Sequence, residues 1–218
     1  MSGSRTEAQQ ALERHLATTD WAAFSPSKRL ILEAFLRLAT TQGFNSVSMR
    51  MIARAVNIKA PSIYAHFPEG RDEIVAESLR YHFYRFGLAL LDAVNGITNA
   101  GDYWNAMVRL HFTRQVRLPE SNLWDLLVAT DRTVRVLPPG LSEQVEHWVG
   151  LYEAMYLTTA AEMGYKDADE QVRMVMTFLE GATRWYTGPT SEADLDEAVE
   201  RAISLTCVIL SLHSPARV

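Results

Sequence analysis

Between Ser48 and His66 the chain collects small, hydroxylic, cationic and aromatic residues in a pattern suited to nucleic-acid contact. Pro61, Ser62 and Ala65 are small residues on the outward side of a short helix, which lets that helix approach base edges. Ser62 can donate or accept there, while Pro61 and Ala65 can touch a thymine methyl. Lys59, Tyr64 and His66 have the reach and polar tips suited to phosphates, as do backbone N–H groups at a helix start. Ser48 stands at the start of the preceding helix, with Arg50 and Arg54 on its exposed side. The expected DNA contacts are Ser48, Arg50, Lys59, Ala60, Pro61, Ser62, Tyr64 and His66. Phe67 is expected in the core. His66 has no ligand-spaced partner and is not expected to bind metal.

Two helices must position these residues, and the punctuation for them is present. Ser25-Pro26 offers an N-cap and a first-turn proline, and Ile31, Ala34, Phe35 and Leu38 follow at helical spacing up to Gly43. Ser48 caps a second helix with Met49, Ile52, Ala53 and Val56 inward. Asn57-Ile58 makes the turn, with Ile58 expected to point into the core. Pro61 suits the first turn of a third helix, with Ile63 and Phe67 inward. This is the layout of a helix-turn-helix presenting one helix to the major groove.

The remainder also reads as helix. Asp72–Val94 is one long segment, followed by Asp102–Arg117, Ser121–Thr130, Ser142–Met163, Asp167–Tyr186 and Ser191–Leu212, and residues 5–20 add an extra helix with Leu12 and Leu16 one turn apart. The expected fold is therefore all-α. Its expected parts are an N-terminal extension (1–24), a helix-turn-helix domain (25–71) and a larger helical domain (72–218).

The 218 residues are 48% hydrophobic and 22% charged, as expected for a globular chain with a substantial core. The start lacks the apolar stretch of a signal peptide and no run is long enough to span a bilayer, so a cytoplasmic protein is expected. The single cysteine, Cys207, sits among apolar residues and reads as a small hydrophobe. A net charge of −5 looks wrong for a DNA partner until it is mapped. From Ser25 to Arg71, seven basic residues stand against two acidic ones, so the rest of the chain carries −10. A basic head on an acidic body fits a duplex touched by the head alone.

These residues resemble the N-terminal domain of TetR-family transcriptional regulators. The matching positions are Ile31-Leu32-x-Ala34-Phe35, Gly43-Phe44, Val47-Ser48, Ile52-Ala53-x-Ala55-Val56 and Pro61-Ser62-Ile63-Tyr64-x-His66-Phe67. Arg71 stands where the family commonly has a lysine, before Asp72-Glu73-Ile74, and by that resemblance is expected to contact DNA. Lys59 replaces the small polar residue usual at the start of the recognition helix, so no relative's operator can be borrowed.

The resemblance implies a homodimer built from the last two long helices, a palindromic operator and a small-molecule effector held in the larger domain. The sequence independently supports the dimer. Within Asp167–Tyr186, Val172, Val175, Met176, Leu179, Ala182 and Tyr186 form one stripe, while Met174, Phe178, Gly181 and Trp185 form another, so two sides of the segment need cover. The expected effector residues are Trp104, His111, Trp124, Trp148, Tyr152, Tyr156, Phe178 and Trp185, an aromatic interior with a few polar groups. The same spacing also describes an ordinary core. An apolar or aromatic effector and repression of transcription complete the expectation. A regulator answering to a protein partner is an alternative. An enzyme using the aromatic interior lacks support, since there is no His-Glu-x-x-His, no phosphate-cradling glycine loop and no aspartate-rich metal motif. No cofactor, metal or membrane partner is expected.

Overall fold

The computed structural model describes residues 4–18, 21, 24–134, 137, 140–189 and 191–212. Every regular element among them is helical. They are α1 (Arg5–Leu16), α2 (Pro26–Gln42), a single 3-10 turn (Phe44–Ser46), α3 (Met49–Ala55), α4 (Ala60–Tyr64) and α5 (Arg71–Val94). There follow α6 (Ala100–Arg117), α7 (Pro119–Val134), α8 (Leu141–Glu162), α9 (Asp169–Glu180), α10 (Ala182–Trp185) and α11 (Glu192–Leu210). None of them is long and apolar enough to cross a membrane. The chain forms two compact units. A head unit takes Ala17–Phe86 and Pro119–Glu146, and a body unit takes Met1–Leu16, Gly87–Leu118 and His147–Val218.

In the head unit, Ser25 Oγ accepts from the Lys28 N–H and Pro26 occupies the first turn, so α2 starts where the sequence predicts. Its inward face is Ile31, Leu32, Ala34, Phe35 and Ala39, all buried. Gly43, at φ 86, releases the chain into the 3-10 turn. Ser48 Oγ then caps α3 by accepting from the Met51 N–H at 3.3 Å. The turn between α3 and α4 is a Schellman stop: Ile58 N–H donates to Ala53 O and Asn57 N–H to Arg54 O, with Asn57 at φ 56. Asparagine tolerates that left-handed position better than most residues. The expected inward Ile58 is corrected here. Its backbone N–H is spent on the helix stop, and its side chain is exposed. Ile63 and Phe67 are fully buried as expected, although Phe67 lies in the turn after α4 and not on it.

In the body unit, α1 is an integral layer. Arg5 pairs with Glu162 at 3.2 Å, donates to the Thr98 carbonyl and lies 4.7 Å over the Tyr103 ring. Ala8, Leu12 and Leu16 face inward and are buried. α6 packs against α9 and α11, with Trp104 Nε1 donating to Thr206 Oγ1 at 3.0 Å. The sequence predicts one helix over Asp167–Tyr186, but the structure breaks it at Gly181 into α9 and α10. The break lets Trp185 fold back, its indole donating to Phe178 O at 3.2 Å and stacking on the Phe178 ring at 4.8 Å. A Cβ at Gly181 would meet the Thr177 carbonyl at 3.3 Å, so this glycine serves the turn.

Leu12→Ala is expected to remove about 3 kcal/mol of stability, as for other buried leucines. Urea unfolding checks this, and a loss below about 0.5 kcal/mol would show that α1 contributes little to the core.

Candidate nucleic-acid interface and aromatic core

The expected DNA contacts assemble from three short pieces held by the head core. Ser48, Met49, Arg50, Ala60, Pro61 and Tyr64 line one open groove between the start of α3 and α4. Pro61, Ser62 and Tyr64 are exposed, as are Lys59 and Arg50, while His66 is half-buried in the turn after α4. Met49 is the lining residue that sequence reasoning placed in the core. It is half-buried beside the Ser48 cap and presents to the groove. α4 itself is only five residues long, and Ile63 alone anchors it to the core. Among the described residues, no group of three or more His, Cys, Asp or Glu could hold a metal ion.

The head's cations divide into two kinds. Arg29, Arg37, Arg50, Arg54 and Lys59 are exposed, although Arg29 also donates to the Trp21 carbonyl. Lys28 instead places its Nζ 5.3 Å from both the Phe24 and Phe67 rings. Arg71, expected to reach DNA, is turned inward. Its Nη2 donates to Phe44 O at 2.7 Å, its Nε donates to Val47 O at 3.2 Å, and the guanidinium lies 4.8 Å over the Phe44 ring. This arginine ties the start of α5 to the loop that aims α3. It acts as a clasp, because the planar guanidinium fork satisfies two backbone carbonyls of that loop at once.

Residues 31–77 match the family model of bacterial regulatory proteins, tetR family. Residues 31–77 thus carry the N-terminal domain of that family. Solved structures agree on the fold. A tetR-family regulator from Rhodococcus RHA1 superposes with a TM-score of 0.73 at 13% identity, covering 88% of this chain and 100% of that one. The ketosteroid transcriptional regulator KstR2 of Mycobacterium tuberculosis does so at 0.67 with 18% identity, over 83% and 95%. AibR, solved with isovaleryl coenzyme A and operator DNA, gives 0.65 at 16% identity, over 80% and 96%. No curated protein sequence matches the chain.

The aromatic residues expected around an effector separate into groups. Trp104 and Tyr156 meet edge-on at 5.3 Å, and the Tyr156 hydroxyl lies 3.4 Å from His111 Nδ1. Phe178 and Trp185 stack beside Phe112 and Tyr186. Trp148 and Tyr152 are buried on α8, with Trp148 6.4 Å from the His15 ring of α1. All of these belong to the body unit, whereas Trp124 belongs to the head unit and packs on Phe44 and His82. Burial pushes the His111 pKa down to about 4, helped by the Arg114 charge. Burial likewise raises the Tyr152 and Tyr156 hydroxyls far above their ordinary range, so this core is a set of neutral hydrogen-bonding groups. Burial also raises the Cys207 thiol, which is no poised nucleophile.

Two expected outcomes follow from these geometries. Arg71→Ala should cost about 2 kcal/mol by stranding two carbonyls, whereas Arg50→Ala should change stability by less than about 0.5 kcal/mol. Equal losses in chemical unfolding would contradict the clasp. His111 binds its proton more weakly folded than unfolded, so its contribution is intact above pH 6.5 and is lost as pH falls from 6.5 towards 4. His111→Gln should flatten that part of the stability profile. A ring that titrates by NMR near pH 6.5 in the folded protein would rule this out.

Proposed function

We propose that this chain is a DNA-binding transcriptional regulator, acting as a repressor that leaves its operator when a small apolar or aromatic molecule binds. One observation carries the reading: a basic segment of an acidic chain holds five exposed cations, Arg29, Arg37, Arg50, Arg54 and Lys59, and a groove formed by Ser48, Arg50, Ala60, Pro61 and Tyr64. Residues 25–71 are the reading domain and 72–218 the dimerising, effector-binding domain, with 1–24 as an extension. Lys59, Ser62, Tyr64 and His66 supply base and phosphate contacts around the groove. That AibR was solved with both an acyl thioester and operator DNA supports the pairing of these two partners on one such fold.

The dimer forms through α9 and α11. Met174, Leu205, Val208 and Leu212 are large apolar side chains left exposed there, with Val208 56% exposed, and a second copy gives them cover. Two-fold symmetry then sets two α4 segments about one DNA turn, roughly 34 Å, apart and selects a palindrome. The effector sits among Trp104, His111, Tyr152, Tyr156, Phe178 and Trp185. Its binding shifts α5, which contributes Arg71–Phe86 to the head unit and Gly87–Val94 to the body unit. The DNA complex weakens only as far as the effector prefers the shifted state.

Gel-shift titration on DNA from upstream of the gene tests the reading. The double variant Lys59→Ala, Tyr64→Ala should bind about a hundredfold more weakly, ~3 kcal/mol for the lost contacts. Losing the Lys59 charge should also lower the steepness of the salt dependence by about one unit. Unchanged affinity in the double variant would end the assignment.

A further inference from the structure

Among the described residues of the head unit, three buried hydrogen-bonding atoms have no partner: Ser78 Oγ on α5, and Ser121 Oγ and Trp124 Nε1 on α7. All three side chains are more than nine-tenths buried, Ser78 and Trp124 completely. Buried polar atoms are nearly always satisfied, so three orphans in one unit need a reason. The two helices meet where the His82 ring stands 6.3 Å from the Trp124 ring. Ser78 precedes His82 by one turn on α5, and Ser121 precedes Trp124 by one turn on α7, so each orphan lies within one turn of that contact.

The chemistry of the missing partner follows from the atoms. An indole N–H can only donate, and both serine hydroxyls are free to donate. Ser121 also lies in the first turn of α7, the electropositive end of a 16-residue helix. What completes the set is an oxygen that accepts. We propose that Ser78, Ser121 and Trp124 bind the carbonyl or carboxylate oxygen of a small molecule, and that Trp124 reports its arrival to the helix-turn-helix.

The route is short and lies inside one unit. The Trp124 ring meets the Phe44 ring edge-on at 6.2 Å, and Phe44 meets Phe35 of α2 at 5.8 Å. Phe44 also lies under the Arg71 guanidinium and opens the 3-10 turn that runs into the Ser48 cap. An acceptor drawing on Nε1 turns the indole against Phe44, and Phe44 cannot move without disturbing the loop that aims α3. This inference rests on the ligand-responsive reading above and adds to it a second ligand site, inside the head unit and apart from the effector site proposed in the body, with its own ligand chemistry and a direct path to the helix-turn-helix.

The test is NMR on the full-length 15N-labelled protein, whose five tryptophans give separate indole N–H resonances. Trp124→Phe identifies one of them by its loss. Three probes are titrated: butyrate, methyl butyrate and butylammonium. The Trp124 indole proton should move downfield and saturate with butyrate or with its ester, but not with butylammonium, which has no acceptor. The two acceptor arms distinguish a carboxylate site from a carbonyl site. Ser121→Ala should weaken the effective probe about tenfold. In gel shifts, that probe at saturation should weaken DNA binding about tenfold in the wild type and less than twofold in Trp124→Phe. A Trp124 resonance that ignores both acceptor probes, or that shows only a cross-peak to held water, overturns the site. A saturating shift with DNA affinity unchanged overturns the coupling. Absence of DNA binding in the wild type, with the shift intact, overturns the regulatory reading and leaves the oxygen site standing.

Discussion

The Arg71 guanidinium reaches back from the first residue of α5 to hold the Phe44 and Val47 carbonyls, and the geometry of the reading head depends on that contact. The loop between α2 and α3 has only a 3-10 turn of its own, with no buried residue in it. Its carbonyls would otherwise face a partly buried environment without donors, which is costly. The arginine satisfies them and covers the Phe44 ring. Everything downstream, the Ser48 cap, α3 and the left-handed turn at Asn57, takes its direction from where this loop is pinned.

The same contact explains how charge is used. Seven basic residues between Ser25 and Arg71 are not seven DNA contacts. Lys28 and Arg71 are spent on aromatic rings and carbonyls, while Arg29, Arg37, Arg50, Arg54 and Lys59 are exposed, Arg29 also donating to the Trp21 carbonyl. The remainder of the chain is net acidic, so the exposed cations of this segment set the direction in which a polyanion is attracted. In the body, by contrast, His111, Tyr152 and Tyr156 are held neutral by burial.

Helices with clear caps and periodic apolar residues were legible in the sequence: α2 begins at Pro26 and the Ser48 cap is where Ser-x-x spacing puts it. The groove residues were legible because small and polar types cluster on the side opposite Ile63. What escaped depends on tertiary partners. Nothing local says that Ile58 lends only its N–H, or that Gly181 ends a helix so that Trp185 can stack back on Phe178. Arg71 reads as a free cation until the two carbonyls 24 and 27 residues earlier come into view. Trp124 shares the aromatic character of Trp104 and Trp148, and only the packing assigns it to the head unit.

α4 separates what is read from what is held. Of its five residues only Ile63 is buried, and the groove-facing Pro61 and Tyr64, with Ser62 and the flanking Lys59, carry almost none of the core. Substitutions on that outer surface therefore meet little opposition from folding. Such a lineage could drift to a new target sequence through single exchanges, each leaving the scaffold intact, while the clasp and the hydrophobic interior stay under constraint.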